Sequence, residues 1–526
     1  KLKASTVGGN LSATATTGNM EDSGVLTIAG TSSFTTSATD ADIILNNANA
    51  FTGTVGVNTT GSSGNVTVVD ASGLNLGAST VGGNLSATAT TGNMEDSGVL
   101  TIAGTSSFTT SANNGTITLN NTNALTGAVA LNTTGSTGHA TIDNGITALD
   151  IGVSSVGGNL TLVSGNQSGI TDSGSVEVEG NLVARTNANS GEINLGTLAV
   201  DGTVALATHG TGNATVVNST ALKLRHGSSV GGNLSATATT GNITDSTALT
   251  IKGTSSFITS ANNADIILNN TNVFTGAVAL NTTGLTGHAI IDNGITALDI
   301  GASSVGGNLT LIGGNASGII DSGTVTVGGN LAATTDANNG AIDLGTLAVD
   351  GTVAVNTNGT GNATLVNATS LKFAGSLVGG NLSATATSGD LQFEGSVGAV
   401  KNVVLESTGG SILNNLKLNA GNIEGKIITL IAANKIGTTK SRLEIDAKTL
   451  NASTTSKNPN SDINIIDKGN LILANLRTEN GSINIASDGP VIRKQVIAGG
   501  LGNVVNIKDR ETDLKRQAAE LKEREA

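Results

Sequence analysis

A short glycine-containing motif recurs along this chain at nearly fixed intervals. Val305-Gly306-Gly307-Asn308-Leu309 is typical: an apolar residue, a glycine two positions later, and then a new stretch with strand alternation. The apolar residues of the motif are Val7, Ile28, Phe51, Val81, Ile102, Leu125, Val156, Val178, Val200, Val230, Ile251, Phe274, Val305, Val327, Val349 and Val378. Two short intervals, as from Val7 to Phe51, alternate with one longer interval, as from Phe51 to Val81. The pattern predicts one coil per motif, in groups of three.

Between motifs the sequence has the period of a β-strand. In residues 10–16, Leu11, Ala13 and Ala15 fall on one face and the hydroxyl residues on the other. The motif glycine is expected either to adopt a positive φ or to allow a close approach of neighbouring chains. Repeats this short bury their apolar faces only by stacking. The sequence therefore predicts an all-β fold, a right-handed parallel β-helix (β-solenoid) of about 21 coils of roughly 21–31 residues.

The composition excludes several other classes. The chain has no cysteine, tryptophan or tyrosine, and only seven phenylalanines. Disulfides, thiolate metal sites and cysteine nucleophiles are therefore ruled out, and the scarcity of aromatic residues argues against an aromatic sugar-binding platform. Phe34, Phe108 and Phe257 occupy equivalent places in related copies, so we expect them to fill the core.

Three segments differ in regularity and charge. Residues 1–394 are predicted to form a regular β-helix of three-coil repeats, residues 395–507 less regular coils, and residues 508–526 a short charged α-helix that caps the last coil or begins a linker. Residues 1–400 carry 7 Lys and Arg against 24 Asp and Glu, and the remainder carries 18 against 14. An acidic surface of this kind disfavours nucleic acid as a partner.

The copies of the three-coil block are nearly identical. Residues 5–38 match residues 79–112 at every position. The Val-Gly-Gly-Asn-Leu motif opens each block, and a longer period of two blocks relates Val81 to Val230 and Val156 to Val305. Such repetition adds length and repeated surface, and it is a poor way to build one unique active site.

Few residues are candidates for chemistry. His139 and His288 are repeat equivalents, each shortly before an Asp-Asn-Gly turn at Asp143 or Asp292. They fit either a repeated metal or acid–base site, or a turn residue copied by duplication, and the lack of neighbouring ligands favours the turn. The same reasoning makes turn formers of four isolated acids, namely Asp150, Asp172, Asp299 and Asp321. We therefore predict no catalytic, cofactor-binding or metal-binding residue, no cofactor and no enzymatic activity.

The serial coils, together with residues 428–437 leading into Leu443-Glu444-Ile445-Asp446, resemble the repeat regions of filamentous-haemagglutinin-like large exoproteins. The resemblance covers roughly residues 1–507 and rests on the style of the repeat. It implies two-partner secretion through an outer-membrane export partner and an extracellular or bacterial cell-surface location. It also implies a role as an adhesin, as a biofilm matrix component or as a carrier of a terminal toxin, although the charged tail does not look like a toxin domain.

Three functions stay open from the sequence. The first is an adhesin stalk for attachment, aggregation or biofilm formation, whose partners are a carbohydrate or protein receptor on a cell surface or matrix, or identical rods. The second is a structural subunit of a self-assembling extracellular filament or sheath. The third and least favoured is a polysaccharide-active β-helix enzyme. Thr-x-Thr pairs could suggest ice binding, but they recur only once per three coils.

No hydrophobic run is long enough to cross a bilayer. The chain begins at Lys1 inside a repeat, so we expect it to be a processed product or a fragment whose export signals lie elsewhere.

Overall fold

The computed structural model describes residues 1–314, 316–336, 339–416 and 423–509. These residues form 61 β-strands and no helix, and successive turns pair in parallel as a β-solenoid of about 23 turns. The predicted all-β parallel solenoid is confirmed. The chain divides into two compact units, Lys1–Ala261 and Asn262–Ala526.

The strands are short, and most have three to eight residues. In chain order β1 to β33 are Ser5–Val7, Leu11–Ala15, Met20–Glu21, Leu26–Ile28, Ser32–Thr39, Ile43–Phe51, Val55–Thr60, Val66–Asp70, Leu74–Leu76, Ser79–Val81, Leu85–Ala89, Met94–Asp96, Leu100–Ile102, Ser106–Asn113, Ile117–Leu119, Ala124–Leu125, Val129–Thr134, Ala140–Asp143, Leu149–Ile151, Ser154–Val156, Leu160–Ser164, Ile170–Asp172, Val176–Val178, Leu182–Asn189, Ile193–Val200, Thr203–His209, Ala214–Asn218, Leu222–Leu224, Ser229–Val230, Leu234–Ala238, Ile243–Asp245, Thr250–Ile251 and Ser255–Asn262. Strands β34 to β61 are Ile266–Leu268, Val273–Phe274, Val278–Thr283, Ala289–Asp292, Leu298–Ile300, Ser303–Val305, Leu309–Gly313, Ile319–Asp321, Val325–Val327, Leu331–Thr335, Ile342–Val349, Thr352–Asn356, Ala363–Asn367, Leu371–Phe373, Ser376–Val378, Leu382–Ala386, Leu391–Phe393, Val397–Ala399, Asn402–Ser407, Ile412–Asn414, Ile423–Ala432, Leu443–Thr454, Ile463–Asp467, Leu471–Thr478, Ile483–Ser487, Val491–Arg493, Val496–Ala498 and Val505–Asp509.

One turn of the first unit consists of three short strands. Ser5–Val7, Leu11–Ala15 and Met20–Glu21 follow one another around the turn, and Leu26–Ile28 then pairs in parallel on Ser5–Val7. Alternate side chains point inward, as the strand period requires. Leu85 and Ala89, for example, are buried while the intervening Ser86 is exposed. Phe34, Phe108 and Phe257 are fully buried, which confirms them as core residues.

The long intervals between motifs are not single coils, and here the sequence-based prediction was wrong. The side of the solenoid that carries Val7 can be followed from turn to turn through the strand pairing and, between Phe51 and Asp70, through a hydrogen bond from a backbone N–H to a side chain. Its members are Val7, Ile28, Phe51, Asp70, Ala89, Thr110, Thr133 and Val156. Val81 is not among them, because its strand Ser79–Val81 pairs at Thr80 with Asn58. Two of the three-coil blocks therefore make seven turns where six were predicted.

The physical reason is the fixed perimeter of a turn. A turn closes when the chain returns to the strand below it, and on the Val7 side the steps from Ile28 to Phe51 and from Phe51 to Asp70 are each one such perimeter. The long interval from Phe51 to Val81 exceeds one perimeter, so the next motif lies on another side. The count of about 21 coils was too low for this reason.

The motif glycine serves the close approach of neighbouring turns. None of the motif glycines is among the residues with a positive φ. The Gly180 N–H donates to the carbonyl of Gly158 one turn below, at 3.1 Å. A Cβ on Gly180 would lie 2.6 Å from that carbonyl carbon, far inside van der Waals contact. Of the two explanations open from the sequence, positive φ and close approach of neighbouring chains, the structure supports the close approach.

The second unit repeats the construction. Ser303–Val305, Leu309–Gly313 and Ile319–Asp321 form one turn, and Val325–Val327 pairs in parallel on Ser303–Val305. Parallel pairing continues through the less regular sequence, where Ala386 lies opposite Ser407.

The charged helix predicted for residues 508–526 is not found where it can be examined. Lys508 and Asp509 end the strand Val505–Asp509, which pairs on Ile483–Ser487. Pairing with the turn below fixes them as a strand, and residues 510–526 lie outside the described residues. Within the described part of the chain, nothing qualifies as a membrane-spanning helix.

Candidate functional site

The asparagine after the motif glycines is part of a side-chain ladder along one corner of the solenoid. In the first unit the Asn65 N–H donates to Asp42 Oδ1 at 2.8 Å, the Asn84 N–H to Asn65 Oδ1 at 2.9 Å, and the Thr105 N–H to Asn84 Oδ1 at 2.8 Å. Each side chain thus holds the backbone of the next turn. The side-chain oxygens of these asparagines are therefore occupied by hydrogen bonds within the fold.

His139 and His288 belong to ladders of the same kind. In the first unit the Asn159 N–H donates to Nδ1 of His139 at 2.8 Å, and in the second the Asn308 N–H donates to Nδ1 of His288 at 2.8 Å. The nearby aspartates form tight local turns, in which the Gly145 N–H donates to Asp143 at 2.9 Å. Among the described residues there is no group of three or more His, Asp or Glu side chains that could hold a metal ion.

We expect His139→Ala to loosen this corner and His139→Asn to preserve it. Alanine removes the acceptor of the Asn159 N–H, at a cost of about 1 kcal/mol, whereas asparagine supplies the acceptor used at Asn84. Hydrogen exchange of the Asn159 amide should accelerate in the alanine variant only. His226→Ala, at an exposed turn residue, is the control. An Asn159 amide equally protected in His139→Ala would refute the ladder role.

The other predicted turn formers divide into two kinds. Asp172 accepts hydrogen bonds from the Gly196 and Thr197 N–H groups at 2.8 and 2.7 Å, and Asp321 accepts the equivalent bonds from Gly345 and Thr346. Both acids therefore bridge successive turns. Asp150 lies within 3.5 Å of the Thr171 hydroxyl, and Asp299 has a buried oxygen with no hydrogen-bond partner. The described structure does not bring these four acids together into a site.

A buried polar residue follows the third motif of each block. Asn144 is fully buried, accepts the Leu125 N–H at 2.8 Å, and donates to the Leu125 carbonyl at 2.9 Å. The side-chain amide thereby replaces two backbone hydrogen bonds between neighbouring strands, at the point where the strand register shifts. The equivalent residues are Asp70, Asn218, Asn293 and Asn367.

Among the described residues of the second unit, a cluster of charged side chains lies in a concave surface, which we call the charged groove. Glu424 and Asp446 lie opposite each other on the adjacent strands Ile423–Ala432 and Leu443–Thr454. Lys468 follows on the next turn, since its N–H donates to the Ile445 carbonyl at 3.1 Å. Two positions along these strands, Lys426 lies opposite Lys448, because the flanking residues on both sides are paired. All five side chains are exposed.

The groove is a recess, and its charges are not paired with one another. Two adjoining cavities of about 210 and 320 Å³ are lined by these side chains together with the turn that carries Val397 and Val400. Within the described part of the chain, no salt bridge joins the groove lysines to Glu424 or Asp446. Like charges directly opposite on neighbouring strands destabilise a sheet. Carboxylate beside carboxylate and ammonium beside ammonium are therefore a local cost of the fold.

A buried acid lies directly behind the groove. Burial raises the pKa of the Asp467 carboxyl above its ordinary value, and the nearby Asp446 carboxylate adds to the rise. Hydrogen bonds from the Gly469 and Ala447 N–H groups, at 2.9 and 3.1 Å, oppose it.

Sequence reasoning missed this groove, although the signal was present. Ile423-Glu424-Gly425, Ile445-Asp446-Ala447 and Asp467-Lys468-Gly469 follow one another at equal steps along the sequence. Each step equals one turn, so the middle residues stack on successive turns. Treating the triplets only as markers of the repeat concealed the charges that they bring together.

The comparisons with known proteins concern the repeat. A model of the family DUF5649, repeats of unknown function, matches residues 1–58, 63–132, 137–207 and 211–281. Most of the matched segments have nearly the length of one three-coil block. No curated protein and no solved structure matches the chain significantly. Since the family model covers more than half of the sequence, this chain belongs to the DUF5649 family of repeats.

Proposed function

We propose that the protein is a secreted or cell-surface bacterial adhesin stalk, built on a right-handed parallel β-helix, that mediates attachment, aggregation or biofilm formation. The proposal is supported by the polar lines on the outer surface. In the first unit one such line runs over five consecutive turns, through Thr14, Thr35, Asn58, Thr80 and Thr101. Hydroxyl and amide groups at the strand spacing of about 4.8 Å present the same weak contact many times.

Repeated weak contacts suit adhesion better than catalysis. A catalytic site needs a few groups held once in a unique geometry, whereas an adhesive surface gains from many equivalent contacts that act together. The resemblance to filamentous-haemagglutinin-like exoproteins adds independent support, and it implies export by an outer-membrane partner.

The test is an adhesion assay with purified protein. Beads coated with the protein are expected to bind bacterial cells or matrix, and soluble protein is expected to compete for that binding. Beads coated with an unrelated acidic protein of similar net charge are the control. Coated beads that bind no more cells than this control would refute the proposal.

A self-assembling filament subunit is the second candidate, and a repeated exposed isoleucine favours it. Ile146 in the first unit and its repeat equivalent Ile295 in the second are both 85% exposed. An apolar contact that each copy of the repeat offers again can act many times between identical molecules. If the protein is a filament subunit, sedimentation should show polymers that dissociate in the double variant Ile146→Ser with Ile295→Ser. If it is an adhesin, the monomer should bind cells or matrix.

A further inference from the structure

We propose that the charged groove of the second unit binds an acidic polysaccharide of the polyuronate class. This inference rests on the proposed adhesin function and gives it one ligand class. The groove is defined by Glu424, Lys426, Asp446, Lys448 and Lys468 on three successive turns. Its binding chemistry follows from three features.

The first feature is the spacing of the ammonium groups. Lys426 and Lys448 project from neighbouring strands, about 4.8 Å apart at the backbone, and Lys468 projects from the following turn. Lys426 and Lys448 are one pair of adjacent cations. Lys468 lies one turn beyond Asp446, in line with the two carboxylates. A pair of cations one strand spacing apart, with a third on the following turn, matches a linear polymer that carries a carboxylate on each sugar. Each lysine offers a charge-assisted hydrogen bond, which is stronger than a neutral one.

The second feature is the pair of carboxylates beside the lysines. Glu424 and Asp446 are acceptors only when ionised, and sugar hydroxyls are donors that satisfy them. A purely anionic polymer without hydroxyl groups would meet repulsion here. The pair therefore favours a polyuronate over a nucleic acid, whose phosphates carry charge but whose backbone offers few hydroxyl donors.

The third feature is the wall of the recess. Val400 is 58% exposed and lines the larger cavity beside Lys426 and Lys448. An exposed valine in a recess supplies an apolar contact for the C–H face of a sugar ring. The chain has no tryptophan or tyrosine for this purpose.

The charge distribution of the sequence explains why the site occurs in this part of the chain. Residues 1–400 carry 24 acidic against 7 basic residues, which repels a polyanion, whereas the remainder carries 14 against 18. The local excess of positive charge lets an acidic polymer approach the groove.

The experiment measures binding of a short oligogalacturonate to the full-length chain by calorimetry, with its methyl-esterified counterpart as the neutral probe. We expect the acidic probe to bind and the ester to bind at least tenfold more weakly. Lys426→Gln with Lys448→Gln should weaken binding of the acidic probe by about tenfold or more. The matched control is Lys440→Gln with Lys457→Gln, two exposed lysines outside the groove lining, and it should bind like the unmodified protein.

A second double variant tests the carboxylates. Glu424→Gln with Asp446→Asn should weaken binding severalfold, because an amide is a weaker acceptor for sugar hydroxyls. Tighter binding by this variant, or equal binding of a single-stranded oligonucleotide, would show a nonspecific cationic patch and overturn the proposal. Melting of both double variants at or above the temperature of the unmodified protein establishes that they fold, since each removes a pair of like charges. If the unmodified protein adheres to cells but binds no oligogalacturonate, the groove proposal alone is overturned. If beads coated with the unmodified protein bind no more cells than the control beads, the adhesin proposal is overturned.

Discussion

Gly180→Ala is expected to destabilise its neighbourhood by about 2–4 kcal/mol. The new methyl group would lie 2.6 Å from the carbonyl carbon and oxygen of Gly158 and from Asn159 Oδ1. Two of these atoms are backbone, so they cannot move aside without breaking the bond between the Gly180 N–H and the Gly158 carbonyl. The neighbouring turns must separate locally.

Hydrogen exchange is the suitable measurement, because a long repeat array need not unfold in one step. Faster exchange is expected for amides of the turns that carry Gly158 and Gly180. Gly196→Ala is a matched control in a nearby strand, where the added Cβ would have only an ordinary contact, 3.9 Å from Asp172. Equal exchange in the two variants would show that the motif glycines do not act through close packing of turns.

Asp70→Asn is expected to stabilise the first unit by about 1–2 kcal/mol at neutral pH. Asp70 is fully buried at the position where Asn144 accepts one backbone hydrogen bond and donates another. An ionised carboxylate accepts the Phe51 N–H at 3.3 Å and the Ser72 N–H and hydroxyl at 3.0 Å each, but it has no proton to donate. Burial raises the pKa of the Asp70 carboxyl above its ordinary value of 3.8, although hydrogen bonds from Ser72 and Phe51 oppose the rise.

The pH dependence has a definite sign. Since the folded pKa is the higher one, the folded state binds the proton more tightly than the unfolded state. The stability contributed by protonated Asp70 is fully present below about pH 3.8, the unfolded value, and is lost as the pH rises through the raised folded pKa. The advantage of Asp70→Asn should therefore be small in acid and should grow toward neutral pH.

Hydrogen exchange of the amides around residue 70, compared between variant and unmodified protein at each of several pH values, measures this difference. Asn144→Asp is the reciprocal variant, and it should lower stability with the same pH profile. A constant difference between Asp70→Asn and the unmodified protein at every pH would contradict the assignment, because it would mean that ionisation of this side chain is not involved.

The sequence alone predicted the class of fold, since the glycine spacing and the strand alternation both require stacked turns. It could not reveal where each turn closes. Val81 looks equivalent to Val7 because both precede Gly-Gly-Asn-Leu, yet closure depends on the perimeter of the core, which local residue types do not encode. The polar residues that mark the register shift, such as Asn144, resemble ordinary turn residues in sequence. Their burial is a property of the stacked structure.

The charged groove likewise could not be predicted from the sequence alone. Individually, Glu424, Asp446 and Lys468 are ordinary charged residues on an outer surface. Their meeting depends on the turn length, and a difference of one residue in either step would send one side chain into the core. The hydrogen bond between His139 and the Asn159 N–H was not foreseen for a related reason, since it joins residues that only the closure of a turn brings together.

The seven-turn repeat has a consequence for how a chain of this kind changes length. A single three-coil block does not span a whole number of turns. If one block is inserted or deleted, the side chains that follow it within the same unit therefore lie on a different side of the solenoid. A change of two blocks restores the original orientation. Genetic expansion in pairs of blocks would therefore keep an existing binding surface aligned, and expansion by single blocks would redirect it.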